Sequence, residues 1–348
     1  MERGFLDRDF IETVEGFMFC VVGPFHPRDR VIAYLKYVPS KDGLWARKGQ
    51  NFSRIMKAYT IPNLLETFKI IEKKHPQYLF YSPYYNIKMT GVPLNSILKH
   101  YKPEEKLDKL LKNGKLDALQ QKVVEFVRIL SEESGVPSKS FGVTGSILLG
   151  IHDINFSDID LTVYGVKESW RLKEVMNEIY SLNSDISRFE GEALKAWCKS
   201  KVDKHPLDLD DALKIYSKKW NIGVFQGTAF SIHPVKTRKE LNEEYGDKTF
   251  YSRGFVTVKA KVEDCSDSIF LPAVYKISGT RILEGPKVNS LLEIVSYESL
   301  YDSLAENGEE IVVRGKLELV KDNKNSREYY RVLVGSPEGK GEEFIKPA

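Results

Sequence analysis

The run Asp158-Ile159-Asp160-Leu161-Thr162-Val163-Tyr164, closed by Gly165, constrains this chain more than any other. Ile159, Leu161 and Val163 alternate with Asp158, Asp160 and Thr162, the pattern of a strand with one buried face. A strand sends residues i and i+2 to the same side, so both aspartates point the same way. Like charges so placed repel unless something neutralises them. A divalent cation is the natural partner, and an all-oxygen donor set favours Mg²⁺.

Gly145-Ser146 lies before it, with eleven residues between Ser146 and Asp158. Phe141 to Val143 reads as the end of a short strand. Ser146 is the expected N-cap, and Ile147-Leu148-Leu149 begins a helical turn. A glycine before a helix start lets backbone amides approach an anion, which the helix dipole also favours. One segment can therefore hold a phosphate at Gly145 and Ser146 and the neutralising metal at Asp158 and Asp160.

Taken in order and at this spacing, the segment resembles the signature of the DNA polymerase β-like nucleotidyltransferase superfamily: a hydrophobic residue, Gly, Gly or Ser, a gap of about a dozen residues, then Asp-hydrophobic-Asp/Glu-hydrophobic. More narrowly, FGVTGSILLGIHD (141–153), FSDIDLTVYG (156–165) and HPRDRVIAYLKYVP (26–39) resemble an archaeal group of predicted nucleotidyltransferases. The resemblance covers roughly 140–165 and extends loosely to about 235. It implies Mg²⁺ or Mn²⁺ at Asp158 and Asp160, with a second ion about 3.5–4 Å away activating the acceptor. It further implies an NTP, expected to be ATP, anchored at Gly145, Ser146 and Ser157. Basic residues late on a following helix, Lys214, Lys218 and Lys219, are candidates for the triphosphate, with Lys218 the first choice. Such lysines also complement a helix dipole.

The family places a third carboxylate on the strand beside the Asp-x-Asp strand. Here that strand is Thr228 to Val235, which holds no Asp or Glu; Ser231 or His233 takes the position. His233 is the candidate base, since imidazole can accept a proton near neutral pH. A structural histidine is the alternative.

At 348 residues the chain should hold two or three domains. A net charge of +3 does not announce a nucleic-acid binder, so any basic surface must be local. Cys20, Cys198 and Cys265 lie far apart without zinc-ligand spacing and are expected to be reduced. No apolar run of 18 residues and no signal-like leader is present, so a cytoplasmic, non-membrane protein is expected.

The expected fold is α+β: a mixed-sheet polymerase β-like nucleotidyltransferase core at 115–245, an N-terminal α/β accessory region at 1–114, and a small C-terminal β-barrel, OB-like, at 246–348. Runs at 16–22 and 31–38 predict a hairpin whose tip carries His26, Arg28 and Arg30, either a solvated loop or a phosphate-contacting finger. Residues 44 to 75 read as helical through Ile55, Tyr59, Leu64, Leu65, Phe68 and Ile71, broken at Pro62. Pro103 starts a lysine-rich helix with Leu107, Leu110 and Leu111 inward. A longer helix, 115–134, buries Leu119, Val123, Phe126, Val127 and Leu130. Helices follow at 167–183, 189–200 and 207–220, the last capped by Asp208. The run 222–236 reads as a hairpin turning at Gln226-Gly227. Beyond 246, strands alternate with one helix at 290–306. Tyr329, Tyr330 and Arg331 suit a face binding single-stranded nucleic acid, and the C-terminal tail is expected to fray.

The first functional expectation is a transferase moving an NMP from an NTP to an acceptor hydroxyl, expected on RNA. The alternative is a catalytically silent nucleotidyltransferase fold that binds nucleic acid, which the missing third acid favours.

Overall fold

The computed structural model describes residues 3–57 and 60–348. It is a mixed α+β protein that divides into two compact units, each built from separated segments. One gathers the chain up to Met56 with Gly91–Phe189 and Trp220–Asn242. The other gathers Lys57–Thr90, Glu190–Lys219 and Glu243–Ala348. The sequence suggested consecutive blocks instead. Long-range strand pairing and side-chain packing, which linear patterns do not report, set this grouping.

In the first unit a five-stranded mixed sheet runs in the order Ile186–Ser187, Ile222–Phe225, Thr228–Val235, Ile159–Tyr164, Phe141–Val143. Ile159–Tyr164 is parallel to Thr228–Val235, which sets Asp160 opposite Ser231 and Thr162 opposite His233. Its other neighbour, Phe141–Val143, is antiparallel. The turn between Ile222–Phe225 and Thr228–Val235 is Gln226-Gly227, with φ of 45° and 75°, as Gly at the second position allows. Helix Ala118–Ser134 packs on this sheet. Asp117 caps it with a box closed by Gln120, and Gly135, at φ 70°, ends it. Leu119, Val123, Phe126, Val127 and Leu130 are buried as the periodicity predicts, and Phe126 stacks on Phe225 with centroids 4.8 Å apart.

A second, antiparallel sheet in this unit orders Trp45–Arg47, Gln50–Arg54, Arg30–Pro39, Met18–Val21, Phe10–Thr13 and Ile97–Tyr101. Phe10, Met18, Cys20 and Tyr37 share a core with Leu148, Leu149 and Ile151. The expected 16–22/31–38 hairpin is present. The expected helix over 44–75 is not: it begins only at Ile61, with Pro62 inside its first turn, where no amide hydrogen is needed. Strands Trp45–Arg47 and Gln50–Arg54 precede it, joined through Lys48 and Gly49 at φ 51° and 81°. Tyr59 lies outside the described residues. In helix Pro103–Lys112 Leu107 and Leu110 are buried, but Leu111 is exposed.

In the second unit five strands close a ring: Lys248–Asp264, Ala273–Glu284, Leu291–Ser296, Arg327–Val334, Glu310–Asp322 and back to Lys248–Asp264. The Leu291–Ser296/Arg327–Val334 pair is parallel. The helix expected at 290–306 is instead this strand plus a short turn, Ser299–Tyr301. Its apolar spacing is ambiguous, and pairing on both edges of β-branched Ile294 and Val295 decides the outcome. The tail does not fray: Phe344–Pro347 pairs with Glu310–Asp322, and Ile345 is buried. Tyr329 and Arg331 are also buried, so they do not form an exposed binding face. Tyr329 donates to Glu293 at 3.0 Å, and Arg331 pairs with Glu318 at 2.8 Å. Among the described residues no helix is long and apolar enough to cross a membrane.

Candidate functional site

Asp160 lies within the Ile159–Tyr164 strand and Asp158 at its entrance. The main chain of Asp160 anchors the Gly-Ser turn, because Thr144 N donates to its carbonyl at 2.9 Å. Its side chain reaches back to the same turn. A Cβ built on Gly145 would stand 2.4 Å from Asp160 Oδ2. Gly145 is therefore a glycine for two reasons: φ is +66°, and the carboxylate occupies the space a methyl would take. The sequence assigned that freedom to a phosphate, whereas the structure gives it first to Asp160.

The helix after this turn is short, Gly145–Leu149, and its N-cap position is Thr144 rather than Ser146. Thr144 donates its hydroxyl to Arg8 O at 2.7 Å, so it does not cap through its side chain. Ser146 is buried inside the first turn. Ser157 closes the loop before Asp158: its hydroxyl accepts from Asp153 N, and its own amide donates to Asp153 O, both at 3.0 Å. That loop-fixing bond is the role visible for Ser157.

At the place of the missing third acid, Ser231 donates to Asp160 Oδ1 at 2.6 Å and meets His233 Nε2 at 2.9 Å. A serine hydroxyl has one proton. Given to Asp160, it leaves Ser231 an acceptor toward His233, so Nε2 carries the hydrogen of the second bond. In this arrangement His233 Nε2 is a donor, and it must change partners before it can take a proton from an acceptor.

The N-terminal segment supplies the cations, Lys36 and Arg54 from its sheet and Arg8 from the turn before Phe10–Thr13. Burial would raise Asp160, but Lys36, then His233, the Ser231 hydroxyl and Arg8 outweigh it, and its pKa is lowered. Asp158 is pushed up to about 6, by burial first and by Asp160 second, against Arg54 and Lys36. Asp158 is exposed as a residue, so water screens part of the field that acts on it. Lys36 is buried in the Arg30–Pro39 strand, its ammonium 5.3 Å from the Phe10 ring centroid. Sequence reasoning missed Lys36, Arg8 and Arg54 as site residues. A lysine inside the otherwise apolar run Tyr34-Leu35-Lys36-Tyr37-Val38 was the one available signal.

The remaining candidates lie elsewhere. Lys218 belongs to the other unit, where it pairs with Glu309 at 2.5 Å. Lys219 is buried against Asp302, at 2.6 Å, and Lys214 is exposed on the same helix. His26 turns inward: its Nδ1 accepts from Ile32 N at 3.2 Å, and burial lowers its pKa to about 4. Arg30 pairs with Asp29 at 2.9 Å.

The donor chemistry fits a magnesium ion held jointly with a substrate. Asp158 and Asp160 offer only oxygen and raise each other's cost of ionisation. Among the described residues no group of three His, Cys, Asp or Glu forms a complete cage. Mg²⁺ commonly takes one or two carboxylates and fills its remaining positions with phosphate and water. One consequence is measurable. The folded pKa of Asp158 lies above its ordinary 3.8, so the fold retains that proton up to about pH 6, and ionisation works against folding as pH rises through this window. Cation binding requires the ionised form, so Mn²⁺ affinity is expected to fall roughly tenfold from pH 7 to pH 5. Calorimetric titration at the two values checks this, and a flat response would remove Asp158 from the ligand set.

With this geometry in hand, comparison with known proteins identifies one relative along nearly the whole chain. The uncharacterized protein MJ1086 of Methanocaldococcus jannaschii is 31% identical over 341 residues, covering 97% of this chain and 98% of the relative. The chain belongs to the MJ1086 family. Membership extends across both units, so the two-unit grouping is expected throughout the MJ1086 family. No protein-family model matches the sequence, and no solved structure matches it.

Proposed function

We propose that this protein is a metal-dependent nucleotidyltransferase of the polymerase β-like kind, moving an NMP from an NTP, with ATP the first choice, to an acceptor hydroxyl on RNA. The observation that carries the reading is the close approach of Asp160 to Gly145 on the Gly-Ser turn, with Asp158 in electrostatic reach of Asp160. Asp158 and Asp160 would hold the ion, and backbone amides at Gly145 and Ser146 would meet a phosphate. When bound, the divalent ion would neutralise the triphosphate and stabilise the charge that develops as pyrophosphate leaves. Lys36 and Arg54 hold positive charge beside the carboxylates, which favours an anionic substrate there. Ser231 keeps Asp160 oriented, and His233 holds Ser231 in turn. A base role for His233 through Nε2 requires the Ser231 bond to break first.

The ring order of the C-terminal strands, with one parallel pair, supports an OB-like reading of that barrel and with it a nucleic-acid acceptor. Buried Tyr329 and Arg331 mean that any such contact uses other residues. A cytoplasmic setting is part of the same proposal.

The test is incubation with α-labelled NTPs, Mg²⁺ or Mn²⁺ and total RNA. Transfer that drops to background in Asp158→Asn and Asp160→Asn supports the enzyme. Salt-sensitive RNA binding that survives both substitutions, without transfer in any protein, selects the silent binder instead. The incomplete acid set is the observation behind that second reading.

A further inference from the structure

The loop that delivers Asp158 also holds an aromatic ring out of the core. Phe156 is 47% exposed and Ile154 is 58% exposed. An unburied phenylalanine contributes little to folding, because the stabilisation comes from area removed from water. The ring is nonetheless buttressed. Trp45 meets it in a T-shaped contact, centroids 5.8 Å apart at 84°. Such a contact uses at most one face of a ring, so a face of Phe156 is left for another partner.

The buttress is anchored. Trp45 packs against the cluster of Leu148, Leu149 and Ile151. Two residues along its strand, Arg47 donates to Leu149 O at 3.3 Å and pairs with Glu12 at 2.8 Å. The loop is pinned as well, since Ser157 is bonded twice to Asp153. Phe156 is therefore held out on the loop that leads into Asp158 instead of folding inward.

One residue, Ser157, separates Phe156 from Asp158 along the chain. Around Asp158 lie a second carboxylate and the charges of Arg54 and Lys36. A ligand seated here would meet an ion-binding acid pair and cations at one end and a flat apolar ring at the other. A polyphosphate joined to a planar base has that sequence of chemistries. We infer that Phe156, backed by Trp45, is the stacking platform for the base of the bound nucleoside triphosphate. This inference rests on the nucleotidyltransferase reading and deepens it by assigning the base subsite. Stacking on an aromatic ring tolerates any base, so the platform supplies affinity more than choice among bases.

The experiment is calorimetric titration of the full chain in Mg²⁺ with ATP and, separately, with inorganic tripolyphosphate. The wild type is expected to bind ATP about tenfold more tightly than tripolyphosphate, the range that one stacked base supplies. Phe156→Ala should bring ATP to the tripolyphosphate level and leave tripolyphosphate unchanged, and Phe156→Tyr should restore the difference. Unchanged ATP affinity in Phe156→Ala overturns the inference. So does equal binding of both ligands by the wild type, which leaves the transferase reading standing. Equal loss of both ligands in Phe156→Ala, unrepaired by Phe156→Tyr, assigns the ring to shaping the loop and likewise overturns the stacking role. A wild type that binds neither ligand overturns the transferase reading, and the base subsite with it.

Discussion

Gly145→Ala is expected to reduce the proposed nucleotidyl transfer at least a hundredfold and to destabilise the protein by about 2–4 kcal/mol. Two costs combine. A side chain at φ +66° carries a left-handed penalty of roughly 1–2 kcal/mol. The new methyl would also sit 2.4 Å from Asp160 Oδ2 and 3.3 Å from its Cγ. That carboxylate cannot swing away cheaply, because its other oxygen accepts from Ser231 at 2.6 Å. Moving it weakens a charge-assisted bond worth about 1.5–3 kcal/mol and misplaces the group that would hold the ion. Gly150→Ala is the control. Gly150 has nearly the same backbone angle, +67°, with no heavy atom within 4 Å of its added Cβ. It should show the conformational cost alone, about 1–2 kcal/mol, with transfer retained. Urea unfolding and steady-state transfer on both variants separate the effects. Matching losses in the two would mean that the Gly145–Asp160 approach has no functional weight.

Glu318→Gln is expected to destabilise the second unit by about 3–5 kcal/mol. Glu318 is 2% exposed and stands between two buried cations: Arg331 Nε at 2.8 Å and Lys316 Nζ at 3.4 Å. Arg331 also stacks over Phe250, its Cζ 3.5 Å from the ring centroid. Burial pulls the Arg331 guanidinium down, yet Glu318 and its neighbours raise it overall. The isosteric amide keeps the shape and removes the charge, leaving two desolvated cations beside each other. Lys316 keeps a second partner in Glu338 at 2.7 Å, but that side chain is 42% exposed. Glu338→Gln should accordingly cost under about 1 kcal/mol. Denaturant midpoints for the two variants are the measurement. A Glu318→Gln midpoint no lower than that of Glu338→Gln would mean the buried cluster contributes nothing net.

The same cluster shows where linear reading failed. The charge of Arg331 suggests a binding face, but nothing along Arg327–Val334 says that this residue is enclosed, and Arg331 to Val334 are all buried. Once the ring of strands closes, Glu318 opposite Arg331 in the antiparallel register gives the buried guanidinium its partner. Helical spacing misled at 44–75 for a related reason. The Lys48-Gly49 turn and the pairing of Trp45 with Phe52 are decided across the hairpin.

The chain's own pattern was enough for its local and periodic features: the strand that carries Asp160, the glycine at the start of the short helix, the buried face of the helix ending at Ser134 and the Gln226-Gly227 turn. These follow from side-chain period, capping chemistry and positive φ, which act over a few residues. Tertiary structure alone decided that the N-terminal segment lends Lys36, Arg8 and Arg54 to the acid pair, that Ser231 rather than His233 meets Asp160, and that Lys218 belongs to the other unit. Those placements depend on strand register and on burial between segments a hundred residues apart. Electrostatic and steric interactions act through space, and sequence distance carries no record of them.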